Sequence, residues 1–216
     1  MKDLIIVCAG GVGRETTLLV DEINKKEQQW NLIGYVDDNK NLQGQIINGK
    51  PVVGDIAWLN NYNNDIYIVV ALGGPSMKEK VLNSINIRPN VHFATLIHPS
   101  AIICKDVQIG EDIIIEGLCF ISTNIKIGSH IYIGPQCGIG HDSTIENNSS
   151  LYWNVNLSGN VKIKQNSQIC TKTTILQGIT IGKCTTVGAG AVVVRDLPDN
   201  CTAVGIPAKI IKNNTD

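Results

Sequence analysis

The chain has 216 residues, 43% of them hydrophobic and 17% charged, enough to bury one large or two small cores and too apolar for a disordered chain. Lys and Arg total 18 against 19 Asp and Glu, so the basic excess of a nucleic-acid binder is absent. No apolar run approaches the ~18 residues of a membrane span.

The first ninety residues alternate strand and helix. "LIIVCAGGVGRETTLLVDEIN" reads as a strand, a glycine turn and a helix, rather than as a cleavable leader. "WNLIGYVDDN" reads as a second strand ending in Asp37 and Asp38, and "DIYIVVALGG" as a third, followed by a helical "SMKEKVLNSI". This pattern predicts a small open parallel α/β, Rossmann-like domain over residues 1–93. Gly10, Gly11 and Gly13 would put backbone N–H groups at a helix N-terminus, where a phosphate could sit; the bland alternative is an ordinary tight turn. Asp37 and Asp38 stand about where a ribose or base would be met, or are solvated residues at a strand end. Thr16 occupies the last glycine place of the dinucleotide fingerprint, and the domain is too short for a complete dinucleotide fold, so NAD is not expected.

From Ile97 onward an aliphatic residue returns every sixth position, without insertion, through Ile103, Ile115, Ile127, Ile139, Leu151, Ile163, Ile175 and Val187 to Val193. Six is the period of neither a helix nor an alternating strand; it is that of a hexapeptide β-helix. The position four later is usually small or β-branched (Ala101, Val107, Cys119, Cys137, Ser143, Val155, Thr185), so two places per hexad should point inward. Glycine often follows the aliphatic (Gly110, Gly128, Gly134, Gly140, Gly182, Gly188), which suggests tight corners of unusual φ. The β-helix with its C-terminal cap, about 197–216, makes residues 94–216 the second domain. The seven cysteines form no C-x-x-C pair, which argues against disulfides and structural zinc and points to a reducing cytoplasm.

"CAGGVGRE" and "YVDD", then the hexads, then "GHD", "SGNVKI", "VGAGAVVVRDLPDN" and "VGIPAKII" together resemble the NeuD/PglD-type sugar acyltransferases over nearly the whole chain. The resemblance implies a left-handed parallel β-helix, with coils of three hexads, ~18 residues, stacked one strand spacing apart. Cys119 would then stack under Cys137 as a core filler. It implies a homotrimer with the active site between neighbouring β-helices, acetyl-CoA as co-substrate, and a nucleotide-linked amino sugar, of the 4-amino-4,6-dideoxy kind, held by the α/β domain on the way to a surface glycan. His141 matches the family's general base, and an imidazole suits removal of a proton near neutral pH. Asp142 stands where the family carries the acidic partner, which would fix the tautomer. Gly159, one coil above His141, would offer its N–H to the oxyanion. The same likeness puts Gly159, Thr171, Gly188, Ala189, Pro207, Ala208 and Lys209 along the CoA path, although the last three could equally cap the solenoid.

Three features depart from the family pattern. Ser150, expected to bind substrate, replaces a second histidine nine residues after the base, and Gly134 replaces an asparagine seven before it; the family residues at both places contact the acetyl group or the sugar. Tyr152 and Trp153, where small residues prevail, could line a sugar pocket or pack an interface. O-acetylation and a non-catalytic nucleotide-sugar-binding role remain open. A three-histidine zinc site of the carbonic-anhydrase type is not expected, because His92, His98, His130 and His141 do not recur at the spacing it needs, and no metal is assigned.

Overall fold

The computed structural model describes residues 1–213; the end of the expected cap, 214–216, lies outside the described residues. Strand β1 (Lys2–Val7) is followed by α1 (Gly11–Lys26), β2 (Trp30–Val36), β3 (Ile46–Ile47), β4 (Lys50–Gly54), α2 (Ile56–Asn60), β5 (Ile66–Val70), α3 (Pro75–Ser84) and β6 (Val91–Phe93). The sheet order is β3-β4-β2-β1-β5-β6, parallel except for the β3–β4 hairpin. Leu4, Ile5, Ile6 and Val7 are wholly buried on both faces, hence an unbroken apolar run rather than an alternating one. The strand order reverses between β1 and β5, and in such sheets ligands bind beyond the carboxyl ends of the strands at that point.

α1 buries Gly13, Thr16, Thr17, Leu19, Val20 and Ile23 at helical spacing. A Cβ on Gly13 would lie 2.0 Å from the Cys8 carbonyl oxygen, so this glycine is demanded by close helix–strand packing.

The second domain is a left-handed β-helix with three flat faces. The first face stacks Thr95–Ile97, Ile113–Ile115, Ile131–Ile133, Ser150–Leu151, Gln168–Ile169, Thr186–Val187 and Cys201–Val204, and is closed by the antiparallel strand Lys209–Asn213. The second runs from Ile102–Ile103 through Gly138–Ile139 to Val192–Val193, and the third from Gln108–Ile109 through Thr144–Ile145 to Thr180–Ile181. Partners are eighteen residues apart, as in Ile121↔Ile139 and Ile139↔Leu157. Above Val193 the offset falls to sixteen (Ile181↔Leu197, Val187↔Ala203), because the last coil is two residues shorter.

Both inward positions of the hexad are confirmed. The sixth-residue aliphatics from Ile115 to Val193 are buried, as are Cys119, Cys137, Ser143, Val155 and Thr185 between them. Burying each aliphatic contributes about 1.5–3 kcal/mol. The inward hydroxyls bond the backbone, Ser167 Oγ to the Gly182 carbonyl at 2.7 Å and Thr185 Oγ1 to that of Pro198 at 2.7 Å.

The corner glycines need correction. Left-handed φ falls three places after the aliphatic, most often on an asparagine (Asn124, Asn148, Asn154, Asn160, Asn166), which tolerates it. The glycines directly after the aliphatic have ordinary φ and are required for space: a Cβ on Gly140 would sit 2.6 Å from the Ser158 carbonyl carbon.

The α/β domain docks on the first face. Leu96, Ile114 and Tyr132 join Leu4, Leu19 and Val20 in one core cluster. Asp112, buried, accepts the Val70 N–H at 2.8 Å and pairs with His130 Nδ1 at 2.9 Å, while buried Lys78 donates to the His130 carbonyl at 3.0 Å.

Candidate active site

His141 and Asp142 occupy the corner between the second-face strand Gly138–Ile139 and the third-face strand Thr144–Ile145. Asp142 is the left-handed residue of that corner (φ 61°), which folds its side chain back onto its neighbour. His141 Nδ1 and Asp142 Oδ2 are 2.7 Å apart. An ionised carboxylate only accepts, so Nδ1 carries the proton and Nε2 presents its lone pair. The hydrogen bond from His141, and then one from Asn124, hold the Asp142 carboxyl below the usual carboxylate range.

Sequence reading missed that second bond. Asn124 Nδ2 donates to Asp142 Oδ1 at 3.1 Å, and the Asn124 N–H donates to Asp106 Oδ2 at 2.8 Å. Asp106, Asn124 and Asp142 stand one coil apart, a ladder legible in the eighteen-residue spacing once the coil length is known. Asp142 thus has both oxygens engaged although its side chain is half exposed.

Gly159 lies one coil above His141. A Cβ there would be 2.4 Å from His141 Nε2 and 2.5 Å from Cε1. Only glycine lets the imidazole lean over the next coil with its free nitrogen against the backbone. Among the described residues, the Gly159 N–H has no acceptor.

The remaining candidates lie elsewhere on the prism. Thr171, Gly188 and Ala189 are on the corner between the first and second faces, where the Gly190 N–H donates to the Thr171 carbonyl at 2.9 Å. Pro207 is exposed in the segment that crosses the top of the second face, pinned by the Ala208 N–H on the Val192 carbonyl at 2.8 Å. Lys209 joins Arg195 around a depression of about 280 Å³ above the His141 corner. Ser150 is buried on the first face, away from the His141 corner, and its Oγ has no partner among the described residues. Gly134 packs 3.0 Å (from a built Cβ) against the Trp153 nitrogen. One chain therefore unites His141, Asp142 and Gly159 on one edge and leaves Thr171, Gly188 and Ala189 on another.

In the α/β domain, a Cβ on Gly10 or Gly11 would meet nothing within 4 Å. Asp37 is committed to structure: its oxygens accept the Ala9 and Asn39 N–H groups, each at 2.9 Å, which ties β2 to the glycine turn. Asp38 Oδ1 accepts the Ile56 N–H at 2.9 Å, at the start of α2. Burial, and then the charges of Asp37 and Asp38, push the Cys8 thiol up to about 12. The loop Leu72–Pro75 after β5 closes the other side of the crevice, with Gly73 against the Tyr152 hydroxyl (2.6 Å from a built Cβ).

The family model described as the PglD N-terminal domain matches residues 3–85. The acetyltransferase domain of PglB from Neisseria gonorrhoeae FA1090, solved with acetyl coenzyme A, superposes with a TM-score of 0.85 at 26% identity, over 97% of this chain and 99% of that one. The chain is similar to the NeuD/PglD-type sugar acyltransferases. UDP-N-acetylbacillosamine N-acetyltransferase of Bacillus subtilis (strain 168) is 31% identical over 118 residues, 53% of this chain. That alignment spans about half of the relative, 51% of its length. A histidine-to-asparagine mutant of perosamine N-acetyltransferase from Caulobacter crescentus, solved with CoA and GDP-perosamine, is 25% identical over 98% of each chain, with a TM-score of 0.65.

Proposed function

We propose that the protein transfers the acetyl group of acetyl-CoA to the amine of a nucleotide-linked amino sugar, of the 4-amino-4,6-dideoxy kind, for a surface glycan. The observation that carries this reading is the His141 imidazole, oriented by Asp142, with its free Nε2 pressed against Gly159. A base and a backbone N–H at one point are what acyl transfer requires. The acceptor nitrogen attacks the thioester carbonyl and its proton passes to His141 Nε2. The oxyanion gathers on the Gly159 N–H. The C–S bond then breaks, and CoA leaves as the thiol with the proton from the imidazolium. Relatives that bind acetyl-CoA, or CoA with GDP-perosamine, support both substrates.

The working form is a homotrimer, which brings the Thr171–Ala189 edge of one protomer to the His141 edge of its neighbour, so that CoA lies between them. Its support is the division of candidate residues over two edges and the exposed Ile102, Leu118 and Phe120 along the intervening face. Lys209 and Arg195 would meet the CoA phosphates. The Gly10–Gly13 turn would receive the nucleotide diphosphate at the start of α1, with Asp38, exposed and with one oxygen to spare, nearer its ribose than Asp37. Seven unpaired thiols and the need for acetyl-CoA suit the cytoplasm.

The test is release of free thiol from acetyl-CoA against a panel of UDP-, GDP- and dTDP-linked 4-amino sugars and their 4-hydroxy counterparts. Turnover confined to amines supports N-acetylation; turnover of hydroxy sugars would establish O-acetylation, and none at all a binding protein.

A further inference from the structure

The corner that carries His141 and Asp142 repeats from coil to coil, and one side chain in it does something the repeat does not require. Asp106, Asn124, Asp142 and Asn160 occupy the same place in four successive coils, eighteen residues apart. Neighbours in that rank therefore stand about one strand spacing, ~4.8 Å, apart. Asn124, Asp142 and Asn160 share a left-handed φ of 57°, 61° and 57°. Asparagine tolerates that φ, which is reason enough for both asparagines to be there. It does not account for where their amides go. The Asn160 side chain makes no hydrogen bond among the described residues; its N–H alone is engaged, on the His141 carbonyl at 2.7 Å. The Asn124 amide reaches up one coil and donates to Asp142 Oδ1 at 3.1 Å.

Asn124 is itself held from below. The Asp142 and Asn160 N–H groups donate to carbonyls of the coil beneath, those of Thr123 and His141. The Asn124 N–H donates instead to a side chain, Asp106 Oδ2, at 2.8 Å, and the same oxygen accepts the Thr123 hydroxyl. Residues of three coils thus form one line that ends on the carboxylate beside His141. That line matters because the pair has little else to hold it. Both side chains are half exposed. Water competes for a carboxylate so placed, and an exposed charged pair contributes little by itself. Rotation about the Cβ–Cγ bond of an aspartate is also soft. A donor fixed on each oxygen removes that freedom: with Oδ1 on Asn124, Oδ2 faces His141 Nδ1.

We infer that Asn124 is a positioning residue for the proposed base: it fixes the rotation of the Asp142 carboxylate, and through it keeps the His141 proton on Nδ1 and the Nε2 lone pair toward Gly159. The inference rests on the function proposed above for its catalytic consequence, while the state of the imidazole is a property of the resting protein. Asn124 acts only through Asp142, so its effect on His141 vanishes when that carboxylate is removed.

A free imidazole in water prefers its proton on Nε2, so the tautomer of His141 reports the positioning without turnover. The whole protein, labelled with ¹⁵N-histidine, is observed by NMR at about pH 8.5, above the ordinary imidazole range, with His141→Gln to assign the signal. Wild type should show mainly the Nδ1–H form. Asn124→Gly, which accepts a left-handed φ freely, should move His141 toward the Nε2–H form. Asn124→Asp tolerates the same φ but can only accept, so it should do likewise, and it is the second variant if Asn124→Gly folds poorly. A double-mutant cycle on thiol release, with a confirmed acceptor, forms the second arm. Asn124→Gly should lower kcat about 10-fold in the wild-type background, the share left to a hydrogen bond on a half-exposed charged group. When Asp142 is already alanine, the same change should cost less than about 2-fold. A wild type mainly in the Nε2–H form, a tautomer unchanged in both variants, or an equal kcat loss in both backgrounds overturns the inference. Absence of turnover with every amino sugar overturns the catalytic reading instead, and the tautomer still decides the role of Asn124.

Discussion

Replacing Gly159 by alanine tests the proposed chemistry with one methyl group. Its Cβ would be 2.4 Å from His141 Nε2, while ordinary contact begins near 3.4 Å. The imidazole must therefore retreat by about 1 Å or swing away, and a displacement of that size costs on the order of 100-fold in rate. The backbone at Gly159 has no left-handed φ, and the His141 side chain is half exposed, so alanine fits once the ring moves. Stability should change by less than about 1 kcal/mol. Gly140→Ala is the contrast, because its Cβ would meet the Ser158 carbonyl carbon at 2.6 Å and the Gly159 nitrogen at 2.7 Å, backbone that cannot turn aside. That variant should lose on the order of 1–3 kcal/mol of stability. The assay is thiol release with a confirmed acceptor, alongside thermal melting of both variants. If Gly159→Ala keeps kcat within threefold of wild type, the imidazole over Gly159 is not the working arrangement.

His141→Ala should lower kcat by ~10²–10⁴ with little change in KM, and Asp142→Asn should cost less; equal and small losses would remove the pair from the mechanism. Because the folded Asp142 pKa is depressed, its support for the pair is present above its unfolded value and is lost only as pH falls through the folded one, so Asp142 should leave the pH–rate profile between 6 and 9 unshaped. Phe120→Glu, on the exposed apolar stretch of the second face, should convert the proposed trimer to monomer in sedimentation and weaken CoA binding with it; an unchanged trimer would move the interface elsewhere. Burial lowers the Lys78 pKa to about 8, so between there and its unfolded value of ~10.4 the unfolded chain holds a proton that the folded chain lacks, and this group's contribution to stability rises with pH. The denaturation free energy of wild type minus Lys78→Met should climb from pH 8 to 10, and a flat difference would refute the assignment.

The β-helix was legible because its rule is local and repeats. An aliphatic at every sixth place, from Ile97 to Val193, leaves a solenoid as the only way to bury all of them on one side of the chain. The His141–Asp142 pair could be read for a related reason, since the coil length converts sequence distance into stacking and sets Gly159 over His141. The corner chemistry was read wrongly in one respect. Glycine has two uses, freedom of φ and absence of a Cβ, and a residue name does not say which is in force; the structure gives the left-handed corners most often to asparagine, with Gly178 and Gly190 among them, and the second use to the glycines after the aliphatics.

Contacts between the domains had no such rule. Ile114 and Tyr132 look outward on the first face, where a polar residue would be expected, and only the docked α/β domain explains them. Asp37 and Asp38 read either as ligand groups or as solvated residues at a strand end; the structure bonds them to the Ala9, Asn39 and Ile56 amides, with one Asp38 oxygen to spare, pairings set by how β2 ends beside β1 and β4. Glu116 carries no sequence signal at all, because what buries its Oε1, without a partner among the described residues, is a helix about a hundred residues away in the chain. The sequence by itself determined the hexad core, the α/β alternation and the adjacency of His141 and Asp142, all of which depend on near neighbours or a fixed period. The tertiary structure decided which carboxylates are committed to backbone amides and which one keeps a buried oxygen without a partner among the described residues, because desolvation depends on what packs above a residue and is unrelated to its place in the chain.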